Sequence, residues 1–166
     1  MSGSRTAASE SLVVSFDPKG FRELMKAAGQ FDKVLTRNLR RDIRTAGKGV
    51  MSKVADAVRS GSYANDTGLR EGIARGLRLQ IATTTRQAGV RIVSTGQGLT
   101  EGKQRMANVW EHDKFRHPVF ADREVWVDQA GHRYFFKTVY DNRGTVTAAV
   151  EKSMRAAAAA LGAEIR

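Results

Sequence analysis

From Phe31 to about Arg59, apolar residues recur every three or four positions: Phe31, Leu35, Leu39, Ile43, Ala46, Val50, Val54 and Val58. That spacing suits a helix, whose period is about 3.6 residues, and not a strand, whose period is 2. The pattern predicts one long amphipathic helix, and whatever else the chain builds must cover its apolar stripe. Gly47 and Gly49 fall inside this segment. Each costs a helix about 1 kcal/mol relative to alanine, so a bend or a close backbone contact is expected there.

The remaining signals supply the cover. Leu12 to Phe16 (LVVSF) is short and β-branched, which reads as a strand; Asp17-Pro18 then starts a short helix through Phe21, Leu24, Met25 and Ala28, closed by Gly29. The turn-rich run SGSYANDTG (60–68) ends the long helix, and Leu69 to Gly76 can form a brief helical turn. Leu77, Leu79, Ile81 and Thr83 alternate with polar neighbours, Gln87-Ala88-Gly89 supplies a turn, and Val90 and Ile92 resume the alternation, predicting a β-hairpin with one wet face. Met106, Val109 and Trp110 suggest a short helix that runs into Glu111-His112-Asp113 and is followed by a break at His117-Pro118. Residues 119–136 (VFADREVWVDQAGHRYFF) read as loop and strand, with a turn at Ala130-Gly131-His132. Val146, Val150, Met154, Ala157, Ala158, Leu161 and Ile165 form the stripe of a closing helix from Thr145 nearly to the end. The class is α+β: a small antiparallel sheet with a hairpin, packed by the long helix and the C-terminal helix. A chain of 166 residues supports one ordinary core, so a single domain is expected over 12–166 after a flexible arm at 1–11.

Charge narrows the function classes. Lys and Arg number 28 against 17 Asp and Glu, a formal charge of +11, which favours polyanions or acidic protein surfaces as partners. Cysteine is absent, so disulfides, thiolate zinc sites and a cysteine nucleophile are excluded. There is no phosphate loop, dinucleotide fingerprint or nucleophile elbow, so no cofactor is implied and catalysis has little support. No apolar run reaches the length of a membrane span, and the polar start lacks a secretory signal, so the expected compartment is the cytoplasm where the chain is made.

Three features stand out as candidate sites. Lys33, Arg37, Arg40, Arg41, Arg44 and Lys48 fall opposite the apolar stripe within an arc of roughly 100°, forming a basic ridge. It reads either as a solvated face or as a contact for an anionic partner; phosphate contacts of this kind carry no base sequence information, and no nucleic-acid reading motif accompanies it. Glu111, His112, Asp113, His117 and His132 have ligand-type side chains, but their spacing fits no established metal signature; Glu111 and His112 read instead as polar contacts at a helix end or subunit joint. The aromatics Trp110, Phe115, Phe120, Trp126, Tyr134, Phe135 and Phe136 crowd into one stretch, as core or as a docking surface. Trp110, Glu111, His112, Phe115 and Trp126 are therefore the candidate subunit-interface residues. The hairpin at 77–94 offers an edge that either receives a neighbour's strand or is protected by Arg78, Arg86 and Arg91.

Taken in order, these pieces resemble the tail-component family of long-tailed bacteriophages, also called tail-completion or neck proteins. The resemblance runs from about Asp17 to Leu161. It rests on the amphipathic helix, then Thr67-Gly68-Leu69-Arg70 after a loop, the hairpin, Val109-Trp110-Glu111-His112 ahead of His117-Pro118-Val119-Phe120, and the closing helix. Asp113 stands where the family usually has glycine, and Ala121 to Phe136 is an insertion before the last helix. The resemblance implies a non-enzymatic virion part, assembled in the host cytoplasm as a ring, expected to be a hexamer, where the DNA-filled head joins the tail. Its partners would be copies of itself, a head-side connector or stopper protein, and the tail terminator or tail-tube protein, with genomic DNA in the channel and no membrane. A tail terminator is the alternative within that setting. Two further classes stay open: a sequence-nonspecific DNA-binding protein, and a hydrolase using Glu111, His112 and His117.

Overall fold

The computed structural model describes residues 11–15, 26, 29–30, 33–61, 68–82, 89–99, 103–119 and 122–164. The element order is β1 (Leu12–Ser15), α1 (Lys33–Ser60), α2 (Leu69–Arg75), β2 (Leu77–Ala82), β3 (Gly89–Ser94), α3 (Met106–Val109), β4 (Lys114–Val119), β5 (Asp122–Ala130), α4 (Phe136–Asp141) and α5 (Arg143–Glu164). The α+β class with a long helix, a hairpin and a C-terminal helix is the architecture observed. The arm before Ser11, most of the helix expected after Pro18 and the turn at Gln87-Ala88 lie outside the described residues, but Lys26, Gly29 and Gln30 are helical, so Gly29 does not close that helix as expected.

Helix α1 is unbroken, and its buried positions Leu39, Ile43, Val50, Val54 and Val58 are the stripe the spacing predicted. Gly47 lies in that stripe. A Cβ there would stand 2.7 Å from Leu79 Cδ1, so the glycine lets β2 approach the helix closely. Gly49 faces open space and has no such reason.

One sheet has the order β1-β3-β2, antiparallel throughout, with Leu12 and Leu77 both opposite Ser94 and with Val14 and Leu79 both opposite Ile92. Alternation puts Leu77, Leu79 and Ile81 toward the helices and leaves Arg78 and Gln80 exposed. The main core joins Val50, Val54 and Val58 of α1 to Ile73, Leu77, Ile92, Trp110, Tyr134, Phe135, Val139 and Val146. Each fully buried side chain of this size contributes about 1.5–3 kcal/mol. A smaller cluster of Leu39, Ile43 and Val90 continues along α1, with Val150 packed on it. Helix α5 runs antiparallel to α1: Lys53 Nζ donates to Asn142 Oδ1 at 2.6 Å, and Ser153 Oγ donates to Asp42 Oδ2 at 3.2 Å.

Two further expectations are corrected. His117-Pro118 does not break the chain; it lies inside β4, which pairs with β5 in a separate two-stranded ribbon. Proline is tolerated because the strand has a free side, and the register shifts between Pro118 and Val119. The stretch read as loop and strand through Phe136 also ends in a helix, α4, and the closing helix begins at Arg143, two residues before the expected Thr145.

Candidate functional site

Helix α1 displays Lys33, Arg37, Arg40, Arg41, Arg44 and Lys48, all exposed, along one open groove of about 860 Å³. From Lys33 to Lys48 the ridge spans about 22 Å at a helical rise of about 1.5 Å per residue. Neutralisation along it is slight: Arg41 Nε meets Asp42 Oδ1 at 3.5 Å, and Lys33, Arg37, Arg44 and Lys48 form no ion pair among the described residues. The side chains predicted for the ridge are thus brought together on one exposed face.

Of the two readings open for each, Trp110 takes the core and Glu111 a helix end. Trp110 is only 3% exposed and belongs to the main core. Glu111 is 8% exposed, and its carboxylate accepts the backbone N–H of Phe135 at 2.8 Å through Oε2 and that of Phe136 at 2.9 Å through Oε1. It caps the start of α4, where unpaired amides and the helix dipole favour a negative charge. Both residues help to join the 110–113 turn to the 130–136 segment.

That join is tight. Gly131 N–H donates to Asp113 O at 2.8 Å and His132 N–H donates to Trp110 O at 2.6 Å. A Cβ on Gly131 would lie 1.7 Å from His112 O, so no other residue fits. His132 Nε2 donates to Ala57 O at 2.8 Å, tying the same turn to α1. Tyr134 O–H donates to Ala107 O at 2.9 Å and lies 3.1 Å from Ser94 Oγ. Burial holds its phenol well above the ordinary tyrosine range, and the Ser94 hydrogen bond offsets that in part. His117 Nδ1 lies 3.0 Å from Pro118 O in its own strand. Among the described residues no three acidic or histidine side chains converge on a point where an ion could sit.

The other expected interface residues remain accessible. His112 is exposed, Phe115 is half-buried against the core, and Trp126 is 51% exposed on β5. Val125 and Val127, on the opposite face of β5, are also exposed. The ribbon is held by its own ladder and by an Arg116–Asp128 ion pair of 3.3 Å across it. Its anchor to the body is at the base, through Phe115.

A second open groove, about 680 Å³, lies beside α4 and was not legible in the sequence. Its apolar lining includes Val14, Phe136, Val139 and Tyr140, with Arg133, Lys137 and Arg143 among its charged residues. Phe136 and Tyr140 are 46% and 65% exposed, and the Arg143 guanidinium stacks on the Tyr140 ring at 3.7 Å.

No family model, no curated protein and no solved structure matches this chain. Among the described residues no helix is long and apolar enough to cross a membrane.

Proposed function

We propose that the chain is a structural subunit of the bacteriophage head-to-tail connector, a neck or tail-completion protein that acts as a ring of identical copies. The observation that carries this reading is the coexistence of two unlike exposed surfaces on one small body, the cationic ridge of α1 and the β4–β5 ribbon with its exposed Trp126. A subunit that must hold its neighbours and also meet a third, anionic component needs surfaces of both kinds. The order of motifs supports it as well: Gly68 stands at the N-cap of α2, and the Trp110-Glu111 pair locks the turn from which the ribbon springs.

In this role the ridge faces DNA in the channel or an acidic neighbouring ring. Forked guanidinium groups pair well with phosphate or carboxylate, and contacts along a backbone are blind to sequence, which suits a channel that must pass any genome. The ring would contact a head-side connector or stopper on one side and a tail terminator or tail-tube protein on the other. A tail terminator is the neighbouring role that the same surfaces would serve.

Deleting the coding sequence from its phage genome should leave filled heads and separate tails in electron micrographs; intact infectious particles would refute the proposal. Replacing Arg37, Arg40, Arg41 and Arg44 together with glutamine should leave the fold intact and block joining, whereas full infectivity of that variant removes the ridge from the mechanism. The ridge also supports a second reading, a sequence-nonspecific DNA-binding protein acting alone. It requires tight duplex binding by the isolated monomer, with log K falling against log salt by about 0.9 for each phosphate neutralised.

A further inference from the structure

We infer that the β4–β5 ribbon of one copy seats Trp126 in the groove beside Phe136 and Tyr140 of the next copy, joining subunits head to tail. The inference rests on the reading of the chain as a self-assembling subunit and names the contact by which it assembles.

The ribbon is an arm in need of a partner. Two strands alone are marginally stable in water, and this pair leaves Val125, Trp126 and Val127 at 50%, 51% and 38% exposure. Tryptophan presented in this way is the residue type most enriched at the energetic centres of interfaces. The groove is the complementary feature: apolar below, open above, and of a size that accommodates a bulky aromatic group. Among the described residues no part of the ribbon lines the groove of its own chain.

Charge selects a second copy as that occupant. Copies with a formal charge of +11 repel one another, and association needs a place where opposite signs meet. Asp122, Glu124 and Asp128 share the face of β5 that carries Trp126, while the groove lining sets Arg133, Lys137 and Arg143 against Glu111 and Asp141. Asp128 is shared with Arg116, and Arg133 and Lys137 are shared with Asp113 and Asp141; Arg143 has no carboxylate partner among the described residues. An arm and a socket on the same chain form a heterologous contact, which propagates until it closes.

Size sets the strength. Aromatic side chains bury about 150–250 Å² each, so Trp126 against two rings falls well short of the roughly 1,200–2,000 Å² of a stable pairwise interface. Two copies alone therefore associate weakly, and a closed assembly, in which every arm and every socket is filled, is the stable species.

Sedimentation velocity over a wide range of protein concentration tests this with the full chain. The wild type should associate as concentration rises. Trp126→Ser in the arm and Tyr140→Ser in the socket should each raise the midpoint concentration by at least about 30-fold, while thermal unfolding of the dilute monomer stays unchanged. Glu124→Lys, on the same face of β5 as Trp126, is the second arm variant should Trp126→Ser fail to fold. Mixing the arm variant with the socket variant should yield one-to-one pairs and nothing larger, because each retains one working surface. A wild type that associates while both variants match it overturns the inference and leaves the connector reading standing. A wild type that stops at two copies upholds the contact and refutes the ring. A wild type that stays monomeric throughout overturns the inference, and the genomic deletion then decides the connector reading separately.

Discussion

Removing the Glu111 carboxylate should destabilise the isolated chain, in contrast to what a subunit-contact role would produce. In the folded chain that carboxylate accepts two backbone N–H groups, from Phe135 and Phe136, at 2.8 and 2.9 Å. Hydrogen bonds to a charged group are worth about 1.5–3 kcal/mol each, and a buried amide left without an acceptor costs about 1–3 kcal/mol. Phe135 is fully buried, so its amide has no access to water once the acceptor is gone; the Phe136 amide is only partly buried and recovers some hydration. Glu111→Ala is therefore expected to cost about 3 kcal/mol, a large share of the roughly 5–15 kcal/mol by which domains are stable. Glu111→Gln keeps one carbonyl acceptor but turns an N–H₂ toward the other amide, so it should cost about 2 kcal/mol. The assay is urea unfolding of dilute protein followed by circular dichroism. At a slope of about 2 kcal/mol per molar urea, the Glu111→Ala midpoint should fall by about 1.5 M. A shift below about 0.5 M would refute the capping argument, because a contact made only between subunits leaves the unfolding of a single chain untouched.

Two further outcomes follow from other sites. Gly49 sits on the exposed side of α1 with nothing within 4 Å of the place an added methyl group would take, so Gly49→Ala should stabilise by up to about 1 kcal/mol and raise the melting temperature by about 2–4 °C. Gly47→Ala should lose that gain to the Leu79 contact, and calorimetry on the pair separates helix propensity from packing. Tyr134 is held neutral by burial, its pKa raised above the ordinary 10.0. The unfolded chain then releases this proton at lower pH than the folded one, so the stabilisation from the neutral phenol is complete below about pH 10 and declines as pH rises beyond it. Tyr134→Phe should be less stable at neutral pH, through loss of the Ala107 and Ser94 contacts, and should show a shallower alkaline decline than the wild type; equal slopes in parallel denaturation series would contradict the assignment.

What sequence made legible was whatever depends on neighbours along the chain. The stripe from Leu39 to Val58, the alternation through Leu77, Leu79 and Ile81, and the clustering of Arg37, Arg40, Arg41 and Arg44 all follow from the fixed periods of helix and strand. The ridge in particular needed no tertiary information, since side chains three, four and seven residues apart on a helix share a face wherever the helix is placed.

Pairing between distant segments was decided elsewhere. Nothing near Glu111 announces that it will cap a helix beginning 25 residues later, because the sequence shows a carboxylate but not which amides will lack acceptors. The same holds for His117-Pro118: a local rule marks a break, yet a strand with only one partner can spare the proline's missing donor. Trp110 and Trp126 are alike in composition and setting along the chain, and only packing separated them, by burying the first under α1 and the sheet and leaving the second on the ribbon. Periodicity is a property of the backbone and is written locally; burial is a property of the whole fold, fixed only when every element has taken its place.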